Sequence, residues 1–195
     1  MNNTSSNPAF SPVNPCANPH SGHKYNRVRD NGCVTLTGMA GAGKTTVGRA
    51  LAKLMGWTQV DTDHLIEAAY GTNLQAVTDM MSKEEFLDVE CSVLCKVKAE
   101  QTILSTGGSV VYRKAAMDHL SSLGPVIFME VSTPIILERI ARNPNRGLAI
   151  APGQTIEDLI AERYALYNAY ADFILHADAL NPEECAQAIV DWLKS

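Results

Sequence analysis

The sequence predicts an α/β layered fold, and three observations carry that expectation. Short β-branched or apolar runs alternate with stretches of helical periodicity, and no internal repeat interrupts them. One octapeptide, Gly38-Met39-Ala40-Gly41-Ala42-Gly43-Lys44-Thr45, fits G-x-x-x-x-G-K-[ST] at every fixed position and stands between a strand-like and a helix-like segment. With 195 residues, 46% of them hydrophobic, the chain can bury one sizeable core and has little room for a second.

Residues 1–30 are rich in Asn, Ser and Pro (Pro8, Pro12, Pro15, Pro19) and lack periodic apolar positions. Burial there would not offset the entropy of ordering, so a disordered tail over 1–30 and one domain over 31–195 are expected. Cys16, His20 and His23 lie close together in that tail, but their spacing matches no standard ligand pattern. Cys33–Thr37 reads as the first strand. After the loop, Val47, Leu51, Leu54 and Met55 recur at helical spacing. Glycines in such a loop let successive N–H groups turn inward and cradle phosphate oxygens at a helix N-terminus. Gly41, Ala42, Gly43 and Thr46 therefore join Lys44 and Thr45 as nucleotide-binding candidates. Lys44 would reach the β- and γ-phosphates, and the Thr45 hydroxyl would offer a hard oxygen to Mg²⁺.

Gly56 stops that helix, and Trp57–Val60 reads as a second strand ending at Asp61. Asp61 and Asp63 then stand where strand gives way to helix, with Thr62 or Asp63 able to cap it. At the carboxyl edge of a parallel sheet, Asp61 would support Mg²⁺ through water and Asp63 would accept a proton from a substrate hydroxyl. Residues 62–100 read as mostly helical, broken near Gly71 and at Ser82, where Ser82-Lys83-Glu84-Glu85 resembles a capping box. Such an excursion suits a substrate subdomain. Thr102–Thr106 is a third strand running into Gly107 and Gly108, which permit close backbone approach to a ligand.

Pro125–Val131 is a buried strand, and a helix begins near Pro134. Arg142 to Gln154 combines Pro, Gly and Asn with two arginines, the composition of a cationic lid over 142–154. Thr155–Tyr170 is helical, Asp172–His176 a last strand, and Pro182–Lys194 a closing amphipathic helix.

A net charge of −5 argues against a general nucleic-acid or anionic-membrane surface. The five cysteines form no C-x-x-C pair, and Cys91 and Cys95, four apart on a helix, are expected as small buried hydrophobes in a reduced compartment. No eighteen-residue apolar run or secretory signal pattern is present, so a soluble cytoplasmic protein is expected.

Several separated motifs, in order, resemble the shikimate kinase family of small P-loop kinases over about residues 32–193. The phosphate loop is followed by Asp61-Thr62-Asp63-His64-Leu65-Ile66-Glu67 for the family's D-[ST]-D-x-x-I-E, then by counterparts of F-R-x-x-E, G-G-G, an arginine lid and E-R-x-x-L-Y. The resemblance implies a three-layer P-loop NTPase fold, a five-stranded parallel sheet flanked by helices, with a helical substrate subdomain and a lid. It implies transfer of the γ-phosphate of ATP, with Mg²⁺, to a ring hydroxyl of shikimate, by a monomer whose partner is a small molecule. By position, Lys44, Asp63 and Arg146 would be catalytic, and Thr45 and Asp61 would serve the metal. Arg142 would stack on adenine, with Asn181 and Pro182 wrapping it. Asp63, Gly107, Gly108 and Arg163 would hold the substrate, Arg163 gripping a carboxylate bidentately.

Two departures fall on the substrate side. F-R-x-x-E reads Phe86-Leu87-Asp88-Val89-Glu90, so leucine replaces the arginine that would share the carboxylate, while its partner Glu90 remains. The second is Ser109 in place of the third glycine; apart from these, on the lid, Gly147 stands where the family has the proline after the arginine. Either Lys83 or Arg113 compensates for Leu87, or the pocket is retuned for a related hydroxy acid or polyol with Ser109 touching it. A catalytically inactive ATP-binding regulatory module is the reading from another class.

Overall fold

Three short runs, Val34–Thr37 (β1), Thr102–Ser105 (β3) and Val126–Glu130 (β4), are buried along almost their whole length, the threonines and serine of β1 and β3 included, as strands covered on both faces must be. With Thr58–Asp61 (β2) and Phe173–His176 (β5) at the more exposed edges they form one parallel sheet in the order β2-β3-β1-β4-β5. The structure, a computed structural model, describes residues 25–29, 32–142, 148–151 and 153–195. Because β1 lies between β3 and β4, the loop leaving its carboxyl end opens at the point where the strand order reverses, which is where such sheets bind ligands. Asp61 pairs in register with Ser105, and Ser105 with Leu36, so the ends of β2, β3 and β1 share one edge.

Helix α1 (Lys44–Met55) follows the loop, starting at Gly43 and stopping at Gly56, whose N–H bonds the Ala52 carbonyl. The excursion after β2 comprises α2 (Thr62–Tyr70), α3 (Leu74–Asp79) and α4 (Lys83–Leu94), with a small apolar cluster of its own around Ile66, Val77 and Phe86. The expected box at Ser82 forms: its backbone N–H donates to Glu85 and its hydroxyl accepts from the Glu85 N–H. Then come α5 (Lys114–Leu123), α6 (Thr133–Arg142), α7 (Ile156–Tyr170) and α8 (Pro182–Lys194), the last packed on α1. No helix among the described residues is long and apolar enough to cross a membrane.

Three expectations change. Residues 25–29 do not belong to a tail: Tyr25 and Val28 are buried, Tyr25 meets Trp57 edge-on at 5.9 Å, and the Arg27 N–H donates to the Leu193 carbonyl. One aromatic, one aliphatic and a backbone bond suffice to dock a segment too short for periodicity to be seen. The N-cap of α2 is neither Thr62 nor Asp63 but Asp61, the last extended residue, whose carboxylate accepts the Asp63 N–H at 3.2 Å. Cys95 is exposed rather than buried, because it is the capping residue at the end of α4, whereas Cys91 one turn earlier packs against the core; their sulfurs lie 3.9 Å apart and both thiols are free.

Leu36, on the central strand, is fully buried. Leu36→Ala is expected to cost about 2–5 kcal/mol, read as a lower urea midpoint at unchanged slope.

Candidate active site

Gly43 adopts φ +95°, a left-handed value that favours glycine, and this turn delivers the chain into α1 with no side chain capping the helix. The first-turn N–H groups of α1 therefore face a cleft of about 580 Å³ lined by Gly41, Ala42, Gly43, Lys44, Thr45 and Thr46. Lys44 is buried against its own loop, its Nζ donating to the carbonyls of Gly38 and Met39 at 2.7 and 2.8 Å. The Thr45 hydroxyl donates to Asp61 Oδ2 at 2.6 Å, joining the loop to the end of β2. Thr45 and Asp61 give hard oxygen donors too few to enclose an ion alone; this suits Mg²⁺, which keeps waters and takes phosphate oxygens.

Asp63, on the first turn of α2, lines the same cleft. Burial pushes its carboxyl up to about 6, the neighbouring Asp61 charge adds to the rise, and Lys44 opposes it. Glu90, from α4, is 2% exposed, and burial pushes it up to about 7; a hydrogen bond from the Ser109 side chain lowers it and Asp63 raises it. Between the two acids lies Gly107. A Cβ there would stand 2.5 Å from Glu90 Oε1 and 2.8 Å from Asp63 Oδ1, so glycine is required by proximity. The Gly107 N–H donates to the Thr62 hydroxyl at 3.3 Å.

Arg163, 1% exposed on α7, reaches the cleft from the other side. Its Nε donates to the Tyr112 hydroxyl at 3.2 Å and its Nη2 to the Ala149 carbonyl at 2.9 Å. A Cβ on Gly108 would approach Arg163 Nη1 to 3.0 Å, and the Gly108 carbonyl accepts from the Tyr167 hydroxyl at 2.6 Å. Arg142 and Pro182 also line the cleft, with Arg142 paired to Glu138. Asn181 does not line the cleft; its side-chain oxygen caps α8 at the Glu184 N–H. Arg146 lies outside the described residues, as do Cys16, His20 and His23.

Neither expected substitute for the lost arginine reaches the cleft. Arg113 pairs with Glu84 and Asp88, and Lys83 lies 4.9 Å over the Tyr112 ring. Leu87 is buried in α4 and is not among the cleft-lining residues, whereas Phe86 and Glu90 are. Ser109 lines the cleft with its hydroxyl engaged by Glu90. Two residues escaped the sequence reading. Arg139 donates to the Gly41 carbonyl at 2.9 Å and lines the cleft, and Tyr167 anchors Gly108. Arg139 stands three before Arg142 and Tyr167 four after Arg163, so helical spacing from a known site residue would have found both.

A family model described as shikimate kinase matches residues 40–194. A shikimate kinase from Thermodesulfovibrio yellowstonii is 32% identical over 160 residues, 80% of this chain and 92% of its own. One from Aromatoleum aromaticum is 38% identical over 152 residues, 76% and 87% of the two chains. Among solved structures, a shikimate kinase from Acinetobacter baumannii in complex with shikimate superposes with TM-score 0.75 at 29% identity, covering 83% of this chain and 92% of that one.

Glu90 sets a pH dependence of stability. Its carboxyl binds a proton more tightly in the folded chain than at its ordinary value of 4.5, so its contribution is fully present below 4.5 and is lost as pH rises through about 7. Glu90→Gln should therefore gain on the wild type by up to about 3 kcal/mol between those limits, measured by urea unfolding across pH.

Proposed function

Because the chain belongs to the shikimate kinase family, we propose that it transfers the γ-phosphoryl group of ATP to a hydroxyl of a small carboxylate-bearing metabolite. Shikimate, giving shikimate 3-phosphate, is the first acceptor to test. The observation that carries this reading is the convergence of the uncapped α1 terminus, Lys44, Asp63 and Arg163 on one cleft. The loop amides of Gly41 to Thr46 and Lys44 hold the phosphates, while Arg142 and Pro182 border the base; Asn181 acts there only by ordering the start of α8. Gly107 and Gly108 bring backbone against the acceptor, and Arg163 takes its carboxylate.

In the transfer, the acceptor oxygen forms a bond to the γ-phosphorus as the bond to the β-phosphate oxygen breaks. The hydroxyl proton passes to Asp63, and ADP leaves with the bridging oxygen. A carboxylate titrating near 6 is ionised at neutral pH yet basic enough to help. Lys44, and Arg146 from the lid, neutralise charge that builds on the phosphoryl oxygens. Thr45 directly, and Asp61 through water, would hold Mg²⁺, which supplies charge neutralisation on the phosphates. A related hydroxy acid or polyol is the second reading, favoured by the absence of a second cation at Leu87 and by the Ser109 contact to Glu90.

ADP release by the purified protein with ATP and Mg²⁺ should require an acceptor. Lys44→Met and Asp63→Asn should each lower kcat at least about a hundredfold with thermal melting unchanged. Full activity in either would overturn these roles. kcat/KM should rise with pH through about 6 as Asp63 ionises; a flat profile would remove it as the base.

A further inference from the structure

Glu90 is the unresolved charge of this cleft. Its Oε1 is buried and has no hydrogen-bond partner among the described residues, an arrangement that folded proteins avoid unless a ligand or water completes it. It does not merely sit near the cleft: Glu90 lines it, and Oε1 points at Gly107, where a Cβ would stand 2.5 Å away. Asp63 Oδ1 faces the same glycine, so two carboxylates border one small space.

The described cations around that space hydrogen-bond or pair with other groups, although the charges of Arg163 and Lys44 are felt at Glu90. Arg113 is paired with Glu84 and Asp88, Lys83 lies over Tyr112, Lys44 binds two loop carbonyls, and Arg163 binds Tyr112 and Ala149. The residue one turn before Glu90 is Leu87, which brings no charge. Along the Gly107-Gly108 backbone the cleft is therefore acidic at one glycine and, with Arg163 Nη1 at 3.0 Å from a Cβ on Gly108, basic at the next. A ligand with opposite charges a few bonds apart complements that order.

We propose that the acceptor is an amino hydroxy acid, its ammonium group donating to Glu90 Oε1 and its carboxylate accepting from Arg163, with the hydroxyl left for Asp63. The inference rests on the phosphoryl-transfer reading of the cleft and narrows its substrate class. Ser109 then holds the Glu90 carboxylate for the amine instead of touching the acceptor itself.

Calorimetric titration of the full chain, with ADP and Mg²⁺ present, tests the amine apart from the chemistry. The probes are L-serine and L-homoserine, their desamino counterparts 3-hydroxypropanoate and 4-hydroxybutanoate, and shikimate. At least one amino member should bind about tenfold or more tightly than its counterpart, and Glu90→Gln should bring the ratio near one. Equal binding within both pairs, no binding by any probe, or shikimate binding tenfold more tightly than either amino acid would overturn the proposal. ADP release from ATP separates the two readings: amine-dependent binding without transfer removes the kinase and keeps the subsite, and transfer without amine preference does the reverse.

Discussion

The uncapped amino end of α1 is the interaction on which the rest of the site depends. Its N-cap, Gly43, has no side chain to cap it, and the glycine turn aims the first-turn N–H groups into the cleft. That end is where it is because β1 lies between β3 and β4, so the loop emerges at the reversal of strand order. Every other functional group is placed relative to it. The Thr45 bond to Asp61 joins β2 to the loop, α2 begins at that same aspartate, and its first turn carries Asp63.

The opposite wall is organised by backbone. Gly107 lies against two carboxylates at distances that leave no room for a Cβ unless they shift, Gly108 lies close to a guanidinium, and the Tyr167 hydroxyl fixes the Gly108 carbonyl. Burial raises both acids, Asp61 adds to the rise at Asp63 and Asp63 to that at Glu90, so the wall favours whatever brings positive charge or a proton there. Lys44 works against the rise at Asp63, which keeps more of that carboxyl ionised near neutrality. Leu87 brings no charge to this wall, so among the described cations the opposition to the rise at Glu90 comes from Arg163 and Lys44.

The loop, the strand β4 and the capping box at Ser82 were legible in the sequence because each is written within a few consecutive residues. The fate of a side chain was legible only where its partner was local. Asp61 was read as a metal-side residue, and its further role as the cap of α2 depended on where β2 ends, a boundary set by pairing with β3. Ser109 was read as a substrate contact, yet it meets Glu90 from a helix nineteen residues away. Arg113 and Lys83 had the right charge, and Lys83 the right helical spacing, but surface acids hold Arg113 and the Tyr112 ring holds Lys83 outside. Residues 25–29 dock on Trp57 and the end of α8, contacts that span the chain and leave no periodic trace.

The central claim is that this cleft moves a phosphoryl group from ATP onto a carbon-bound hydroxyl, and phosphorus NMR of the reaction mixture reads that event directly. With ATP, Mg²⁺ and the acceptor that supports ADP release, a phosphomonoester resonance should grow in equal amount to ADP, coupled to protons of the acceptor carbon. Growth of inorganic phosphate alone would mean that water, not a bound hydroxyl, meets the γ-phosphorus, and would contradict the account.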